Sequence, residues 1–578
     1  MSNEGESPTA GVVLARPDVS ALRTKHGAWI GVGAGSFTVK GAAAYEVVSK
    51  LLGGSDGSRT GPQLVDDFPA GSRAAVSRVL DALVTHRCVT VLDAPMSHQV
   101  AVKGPASEWL LAYFAQLTTE PVRALDRVLA TTLHLYGRPA WLSRLRGLLD
   151  AAPLFGLRTE FHTISDEDRV PQWEDADLVV VDADGLSYER TVRLQDELLE
   201  RGVPHGIVGE VGGRRWIIWS DDRVTGCWDC LNRYARTTRS AAPAETAPTA
   251  PDDSAAAALI HAVYRRSAGL ADHAAAAVSV SHESGLPTVK THPAWAAAGC
   301  RCHRAVVPPV TGDERDDQGD EPVRRNIVSP EDDSRLDDVH ERIIGTLAGW
   351  TDGFAGPFRY LDGGDLPQVP FGQAQATVLV GLAEKCRVRE LTAAVLSSRE
   401  ALYQAALNAL EMFAAQPGGP LPDIGAGWTL DEAVYRALLR RSMSWAVDDA
   451  EWVRLSEDDL GHGECAAFSR YIRHSVGRSR GGEAPQWIGT RLANGIYRVR
   501  GRAADGSLVA HGAGACYAEA VCTAMLALVN DADALVPLNP HFRTWAELWR
   551  HVARPECVEV TERTLPFARG EVRLVEVP

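Results

Sequence analysis

Residues 175–183 read Asp-Ala-Asp-Leu-Val-Val-Val-Asp-Ala, an unbroken apolar run bounded by acids. A run without polar alternation marks a strand buried on both faces, as in a parallel sheet covered by helices. Its surroundings keep the same grammar. Upstream, RVLATTLHLYG (127–137) reads as a strand ending at Gly137, PAWLSRLRGLLDAAPLFG (139–156) as an amphipathic helix opened by Pro139, and LRTEFHT (157–163) as another strand. Downstream, YERTVRLQDELLERG (188–202) reads as a helix, and PHGIVGEVGG (204–213) and RRWIIWS (214–220) as strands. Strands alternating with helices predict an open α/β sheet within 105–306.

In a nucleotide-binding sheet of this kind, the first strand–helix turn carries Gly-X-Gly-X-X-Gly, so that backbone amides approach phosphate. Here the turn is Leu135-Tyr136-Gly137-Arg138-Pro139-Ala140-Trp141. One glycine remains, Pro139 deletes an amide donor and Trp141 fills phosphate space. Asp166 or Glu167 matches only loosely the acid that follows the next strand. The expectation is that this chain binds no ATP.

Residues 10–95 form a smaller pattern: GVVLARP (11–17), AWIGVG (28–33) and SFTVK (36–40) read as short strands, and GAAAYEVVSKLL (41–52) as a helix. TGPQLVDDF (60–68) is a second helix, with Thr60 as its cap and Pro62 in its first turn. In SRAAVSRVLDALVTHR (72–87), Val76, Val79, Leu80 and Leu83 share one face, and VTVLD (89–93) closes the unit with a strand. That order is winged-helix-like. Nucleic acid is the usual partner of the shape, but 59 basic against 75 acidic residues leave a net charge of −16, which repels phosphate backbones. No stretch approaches the roughly 20 apolar residues that cross a bilayer, and MSNEGESPTAG lacks a signal-peptide pattern. No membrane association and a cytoplasmic location are expected.

Of the 10 cysteines, six (Cys88, Cys386, Cys465, Cys516, Cys522 and Cys557) stand in contexts that suggest ordinary small side chains. The other four form two pairs, Cys227-Trp-Asp-Cys230 and Cys300-Arg-Cys302. Each spacing lets two sulfurs face one ion, and four thiolates with no open position describe a structural zinc site. The competing reading makes 227/230 a redox dithiol at a helix N-terminus and leaves 300/302 without a role. The nearby Trp216, Trp219 and Trp228 read as packing rather than a stacking platform. Residues 237–257 are a Pro/Ala/Thr-rich spacer, and 307–338 an acidic linker. The block 339–578 is mixed helix and strand, with two similar pieces, GAGWTLDEAVYRALLRR (425–441) and GAGACYAEAVCTAMLALV (512–529). Glu411, Glu432 and Glu519 read there as residues of solvated helix faces, and no catalytic triad spacing is visible.

Taken in order, these features resemble a known family. The N-terminal unit is similar to the PqqD-like precursor-peptide recognition element. The middle, with GCWDCLNR and AGCRCHR, resembles a ThiF-like fold with zinc knuckles, and the repeated C-terminal pieces resemble a degenerate YcaO-like fold. Together they resemble the Ocin-ThiF-like partner proteins of YcaO azoline-forming cyclodehydratases, found in thiopeptide and other thiazole/oxazole-modified peptide pathways. The resemblance implies a non-catalytic subunit. It binds a precursor's leader peptide and presents the core to a separate ATP-dependent YcaO cyclodehydratase, which cyclises Cys, Ser or Thr. It implies domains at 10–95, 105–306 and 339–578, structural Zn2+ on Cys227, Cys230, Cys300 and Cys302, and 339–578 as the docking block. In such elements the leader adds a strand beside the third strand, here Ser36–Lys40, and lies on the third helix. Phe37, Thr38, Val39, Lys40, Arg73, Val76, Val79, Leu80 and Leu83 are the implied peptide-binding residues, with Lys40, Arg73 and Arg78 able to steer an acidic leader. A homodimer stays open, carried by no single motif. The alternative is a ThiF-like adenylating enzyme acting on a peptide or carrier C-terminus.

Overall fold

A computed structural model describes residues 11–578 apart from 34, 105, 152–156, 168–172, 174, 221–225, 236–250, 271–276, 284–285, 304–332, 382–386, 415–422, 448–450, 461–463, 481–484, 531–534, 538–541 and 543. Most of the acidic stretch 307–338 therefore lies outside the described residues. The chain forms two compact units, one of residues 1–210, 214–221 and 247–291, the other of 211–213, 222–246 and 292–578. Among the described residues, no helix is long and apolar enough to cross a membrane.

The first unit begins with β1 (Val12–Ala15), β2 (Ser20–Thr24), β3 (Gly27–Val32), β4 (Gly35–Lys40), α1 (Ala44–Gly54), β5 (Asp56–Thr60), α2 (Gly61–Asp66), α3 (Arg73–Thr85) and β6 (Val89–Leu92). β1 sits between β5 and β6 in one antiparallel sheet, and β2–β3–β4 form another. Thr60 caps α2 as expected: Gln63 N–H donates to its hydroxyl at 3.4 Å while Thr60 N–H donates to the Gln63 side chain at 2.8 Å. Two strands are added to the expected pattern. β2 (SALRT) is mostly exposed, and β5 (DGSRT) carries no apolar side chain; cross-strand pairing, not hydrophobic alternation, makes them strands. Ile30, Val48, Leu51, Leu64, Val76, Leu80 and Leu83 form the core.

Three helices follow, α4 (Met96–Lys103), α5 (Ala106–Leu117) and α6 (Pro121–Ala130), and then β7 (Thr132–Gly137). The strand expected from Arg127 thus starts at Thr132. Residues 127–130 complete a helix whose Ala124, Leu125 and Val128 are buried at helical spacing. The sheet continues with α7 (Pro139–Ala151), β8 (Arg158–Thr163), β9 (Leu178–Asp182), α8 (Tyr188–Glu200), β10 (His205–Val211) and β11 (Arg214–Ser220). After α9 (Trp228–Ala235), which belongs to the second unit, α10 (Pro251–Ser267), β12 (Ala277–Glu283) and β13 (Leu286–His292) return to the first. The seven strands run β13-β12-β11-β10-β9-β7-β8. β8, β7, β9 and β10 are parallel, and β12 pairs antiparallel with β11. All five residues of β9 are buried, as its composition predicts.

The second unit contains α11 (Asp333–Trp350), which starts inside the stretch read as linker, and β14 (Phe358–Asp362), β15 (Gly372–Val380), β16 (Arg387–Val395), α12 (Ser398–Met412), β17 (Ile424–Gly427) and α13 (Leu430–Ser444). β18 (Val453–Arg454), α14 (Glu464–Arg480), β19 (Gln486–Arg491), β20 (Tyr497–Arg502), β21 (Leu508–Gly514) and α15 (Tyr517–Leu526) come next. α16 (Trp545–His551), β22 (Val558–Glu559), α17 (Thr561–Thr564) and β23 (Arg573–Glu576) complete it. Its antiparallel sheets are β14-β15-β16, β17-β23-β22 and β18-β19-β20-β21.

One device recurs three times in this unit. A strand (β16, β17, β21) turns into a helix (α12, α13, α15) through a cap, Ser397, Thr429 or Cys516, whose side chain accepts the N–H of Glu400, Glu432 or Glu519. From their third residue the helices read EALYQAAL, EAVYRALL and EAVCTAML. Cys516, read as an ordinary small residue, is thus a helix cap. Glycines let strand and helix meet in two of the copies: a Cβ on Gly425 would lie 2.1 Å from Ala433 O, and one on Gly512 would lie 2.4 Å from Ala520 O. Gly425→Ala and Gly512→Ala are each expected to cost about 2–3 kcal/mol through forced separation of backbone from backbone. Denaturant unfolding of the two variants checks this, and midpoints within error of the parent would refute it.

Candidate functional site

The two cysteine pairs, 70 residues apart in sequence, meet within the second unit. Cys227 immediately precedes α9 and Cys230 lies in its first turn, while Cys300 and Cys302 lie at a short helical turn around residues 301–303. The sulfurs are 3.7 Å apart for 227/230, 3.4 Å for 227/300, 3.5 Å for 230/302 and 3.0 Å for 300/302. All four residues are buried. Ligands at about 2.3 Å from a tetrahedral zinc ion lie about 3.8 Å apart, so this arrangement fits one ion after small rotations. The donor set is complete, with no position left for substrate, and could hold a metal in a structural role. Burial pushes the Cys227 and Cys230 thiols well above their ordinary value, so a cation is needed before these two ionise together.

The placement of Cys227 at a helix N-terminus is one that a redox dithiol would share. That criterion therefore does not separate the two readings, whereas the approach of the second pair favours the ion. The surrounding chain fixes the knuckle. Ala297 N–H donates to Cys230 Sγ at 3.2 Å, Tyr234 Oη donates to Ala296 O at 3.1 Å and Gly226 N–H donates to Ala294 O at 3.0 Å. Gly226 faces Trp295 so closely that a Cβ would stand 2.3 Å from its carbonyl oxygen. Arg359 donates to Tyr234 O, and His292 Nδ1 meets Asp352 Oδ2 at 2.6 Å. Burial alone would push Asp352 up, but the His292 ring and two backbone amides hold its carboxyl at about 2. Trp228 is buried beside the knuckle, while Trp216 and Trp219 are buried in β11.

In the first unit, the turn after β7 holds a salt-bridge cluster. Arg138 donates through Nε to Asp182 Oδ2 at 2.7 Å and through Nη2 to Asp184 Oδ2 at 3.3 Å, and Arg215 also binds Asp184. Gly137 is closed in by the Asp182 and Trp141 side chains, each 2.7 Å from a hypothetical Cβ. This is the carboxyl end of the central parallel strands, where open α/β sheets take ligands; here two carboxylates and an indole occupy it.

The implied peptide-binding residues separate into two groups. Val76, Leu80 and Leu83 are buried in the N-terminal core, and Val79 is half-buried. Arg73 is already engaged, pairing with Asp66 at 2.9 Å and donating to Phe68 O at 3.0 Å. Thr38 and Lys40 are exposed on β4, with Phe37 and Val39 half-buried. β4 is an edge strand of its sheet, paired with β3 alone among the described residues. Phe37 stacks on His86 just past the end of α3, with ring centroids 4.0 Å apart, so the open edge and the C-terminal end of α3 are adjacent.

The C-terminal carboxylates depart most from expectation. Glu411 and Glu519 are wholly buried, not solvated. Arg436 Nε donates to Glu411 Oε1 at 2.6 Å, Ala426 N–H donates to the same oxygen at 3.0 Å, and Arg440 binds the other. Arg436 also reaches Gln404 Oε1 at 2.6 Å and Asn408 Oδ1 at 3.1 Å. Burial favours the neutral acid, but Arg436 and Arg440 hold the Glu411 carboxyl below its ordinary range. Glu432, half-buried, accepts from Tyr403 Oη at 2.5 Å and from Trp428 N–H at 3.0 Å. The signal in the sequence was the spacing itself, since Glu400, Gln404, Asn408 and Glu411 share one side of α12 at steps of three and four.

Glu519 has no such cation. It accepts from Tyr435 Oη at 2.9 and 2.8 Å and from Ala515 N–H at 2.7 Å, and burial pushes it up to about 8. The folded state then holds a proton that the unfolded chain releases near its ordinary value of 4.5. The resulting stability is complete at pH values below that of the unfolded carboxyl and is lost as pH rises through about 8. Unfolding midpoints measured from pH 5 to 9 should fall across this range, and Glu519→Gln should flatten the alkaline slope. An unchanged slope in the variant would remove Glu519 as its source.

No protein-family model matches the chain, and no curated protein is similar enough in sequence to count as a relative. Solved structures do match. A heterocyclase in complex with substrate and cofactor superposes over 98% of this chain and 94% of its own, with a TM-score of 0.57 at 12% identity. The heterocyclase TruD covers the same shares with a TM-score of 0.50 at 13% identity. E. coli MccB with succinimide overlaps 51% of this chain and 99% of its own, but its TM-score of 0.36 gives it no weight here. The chain thus has a mixed α/β, multi-sheet fold shared with solved heterocyclases along nearly its whole length.

Proposed function

We propose that the protein is a non-catalytic subunit of a cyclodehydratase complex. It captures the leader of a ribosomally made precursor peptide and presents the core to a separate, ATP-dependent YcaO enzyme that forms thiazolines or oxazolines. The supporting observation is the edge strand β4, paired among the described residues with β3 alone and adjacent to the end of α3, in a chain with a fold shared with solved heterocyclases. An extended leader would pair with the free edge of β4, gaining register from main-chain hydrogen bonds. Thr38 and Lys40 are exposed to meet it, and Phe37 and Val39 partly so. Val76, Leu80 and Leu83 would act by holding α3 in place, and Arg73 by bracing residues 66–68.

The domain division follows this reading: a peptide reader at 10–95, a ThiF-like sheet at 105–306 stapled by structural zinc on Cys227, Cys230, Cys300 and Cys302, and a docking block at 339–578. The Arg138–Asp182–Asp184 cluster at the strand–helix turn supports a sheet that binds no ATP, because carboxylates there repel phosphate. It disfavours the alternative, an adenylating enzyme of the ThiF type.

The test is titration of the full chain with a labelled precursor leader. Micromolar or tighter binding is expected, without ATP hydrolysis or pyrophosphate exchange by this chain alone. Lys40→Glu, on an exposed side chain, should weaken an acidic leader about tenfold at low salt without altering the melting temperature. Phe37→Glu should weaken it further. Turnover of ATP by the isolated chain, or no affinity for any precursor offered, would overturn the reading.

A further inference from the structure

The face of the parallel sheet at β7 and β8 carries a second group of metal-binding side chains, remote in sequence from the cysteines. In the register of these strands, His134 lies opposite Glu160 and Tyr136 opposite His162. Alternation along each strand therefore places all four side chains on one face. His134 Nε2 is 3.8 Å from Glu160 Oε2, and His162 Nε2 is 3.5 Å from the same oxygen. The three residues can bring one ligand atom each within 4.8 Å of the others.

Beyond these approaches to Glu160, the buried ring nitrogens lack hydrogen-bond partners among the described residues. His134 is only 6% exposed, yet neither of its ring nitrogens has a hydrogen-bond partner among the described residues, and the buried Nε2 of His162 has only the long 3.5 Å approach to Glu160. Buried polar atoms are paired in the great majority of cases, so two ring nitrogens gathered at one carboxylate without an ordinary hydrogen bond need an explanation. Stacking holds the rings in position. His134 and His162 lie 5.1 Å apart, Tyr136 stacks on His162 at 4.6 Å, and Trp173 meets Tyr136 edge-on at 4.9 Å.

We propose that His134, Glu160 and His162 bind a divalent transition-metal ion of the zinc class. Two imidazoles and a carboxylate suit such an ion and leave a coordination position open. Ligand atoms at about 2.0–2.1 Å from a tetrahedral ion lie about 3.4 Å from one another, close to the separations to Glu160. The Glu160 side chain is 58% exposed, so it can rotate inward, and a water or a small-molecule donor completes the shell from that side. This site differs in kind from the four cysteines, whose donor set is closed.

Equilibrium dialysis of the full chain against micromolar free zinc, followed by metal analysis, tests the assignment. His162→Gln and Glu160→Gln are the informative variants, because both side chains are partly exposed. The parent should retain about one more zinc ion per chain than either variant, and zinc should raise its melting temperature beyond theirs. The comparison rests on a difference, so it holds whatever the cysteines bind. Equal zinc content in parent and variants, with all three folded, would overturn the proposal.

Discussion

If the knuckle holds structural zinc as proposed, replacing Cys300 by serine is expected to release that ion and unfold the polypeptide around it, not to slow one chemical step. Cys300 Sγ stands 3.0 Å from Cys302 Sγ and 3.4 Å from Cys227 Sγ, so its loss removes one ligand and leaves the other three sulfurs crowded and buried. A structural zinc ion contributes apparent free energies of about 10–16 kcal/mol in small zinc-binding peptides at neutral pH. Part of that suffices to exceed the margin of a typical domain, about 5–15 kcal/mol. Residues 292–302 and α9 should then become sensitive to protease, and a strong chelator should reproduce the effect in the parent. Metal analysis, thermal melting and limited proteolysis of Cys300→Ser read all three consequences. A variant that kept its zinc, or lost it with no change in melting or cleavage, would show that the cluster is not a structural metal site.

Glu411→Ala should be the most damaging substitution outside the cysteines. It would leave the Arg436 and Arg440 guanidiniums, 1% and 9% exposed as side chains, without their carboxylate. Breaking a buried pair by removing one partner costs about 3–5 kcal/mol, because the remaining charge has neither water nor counter-ion. Glu411→Gln keeps the acceptor for Ala426 N–H and the volume but not the charge, so it should fall between Ala and the parent. The sign with pH is fixed by the depressed carboxyl. The pair's stability is present above the unfolded carboxyl's ordinary 4.5 and is lost as pH falls through the lower folded value. Glu411→Ala should accordingly lose the acid-limb slope that the parent retains. Denaturant unfolding between pH 3 and 7 measures both effects, and a cost under about 1 kcal/mol would mean that the arginines had found other partners.

What was legible in the sequence was whatever rests on local periodicity or close spacing. The apolar run of β9, the capped α2 and the paired cysteines each carry their signal within a few residues. Elements set by long-range pairing were hidden: β5 has no apolar side chain and becomes a strand only against β1. The third copy of the cap-and-helix device carries no glycine signal, because β16 approaches α12 with Ala393, Ala394 and Val395 at the positions of Gly-X-Gly. Glu411 looked solvated because its arginines lie 25 and 29 residues further along, beyond any helical period. The His134–Glu160–His162 group was invisible for a similar reason, since only the register of two parallel strands brings it together.

The path of the chain through the two units limits how the protein can be taken apart. Cys227 and Cys230 lie in the second unit, the polypeptide then supplies residues 247–291 to the first, and it re-enters the second at His292. The sulfur cluster thus clasps both ends of an excursion. Cuts between the segments of the two units therefore do not separate them: severing near residue 306 strands the cysteines away from Arg359 and Asp352, and severing near residue 221 deprives the seven-stranded sheet of β12 and β13. In a gene, this arrangement favours inheritance of the whole chain as one piece.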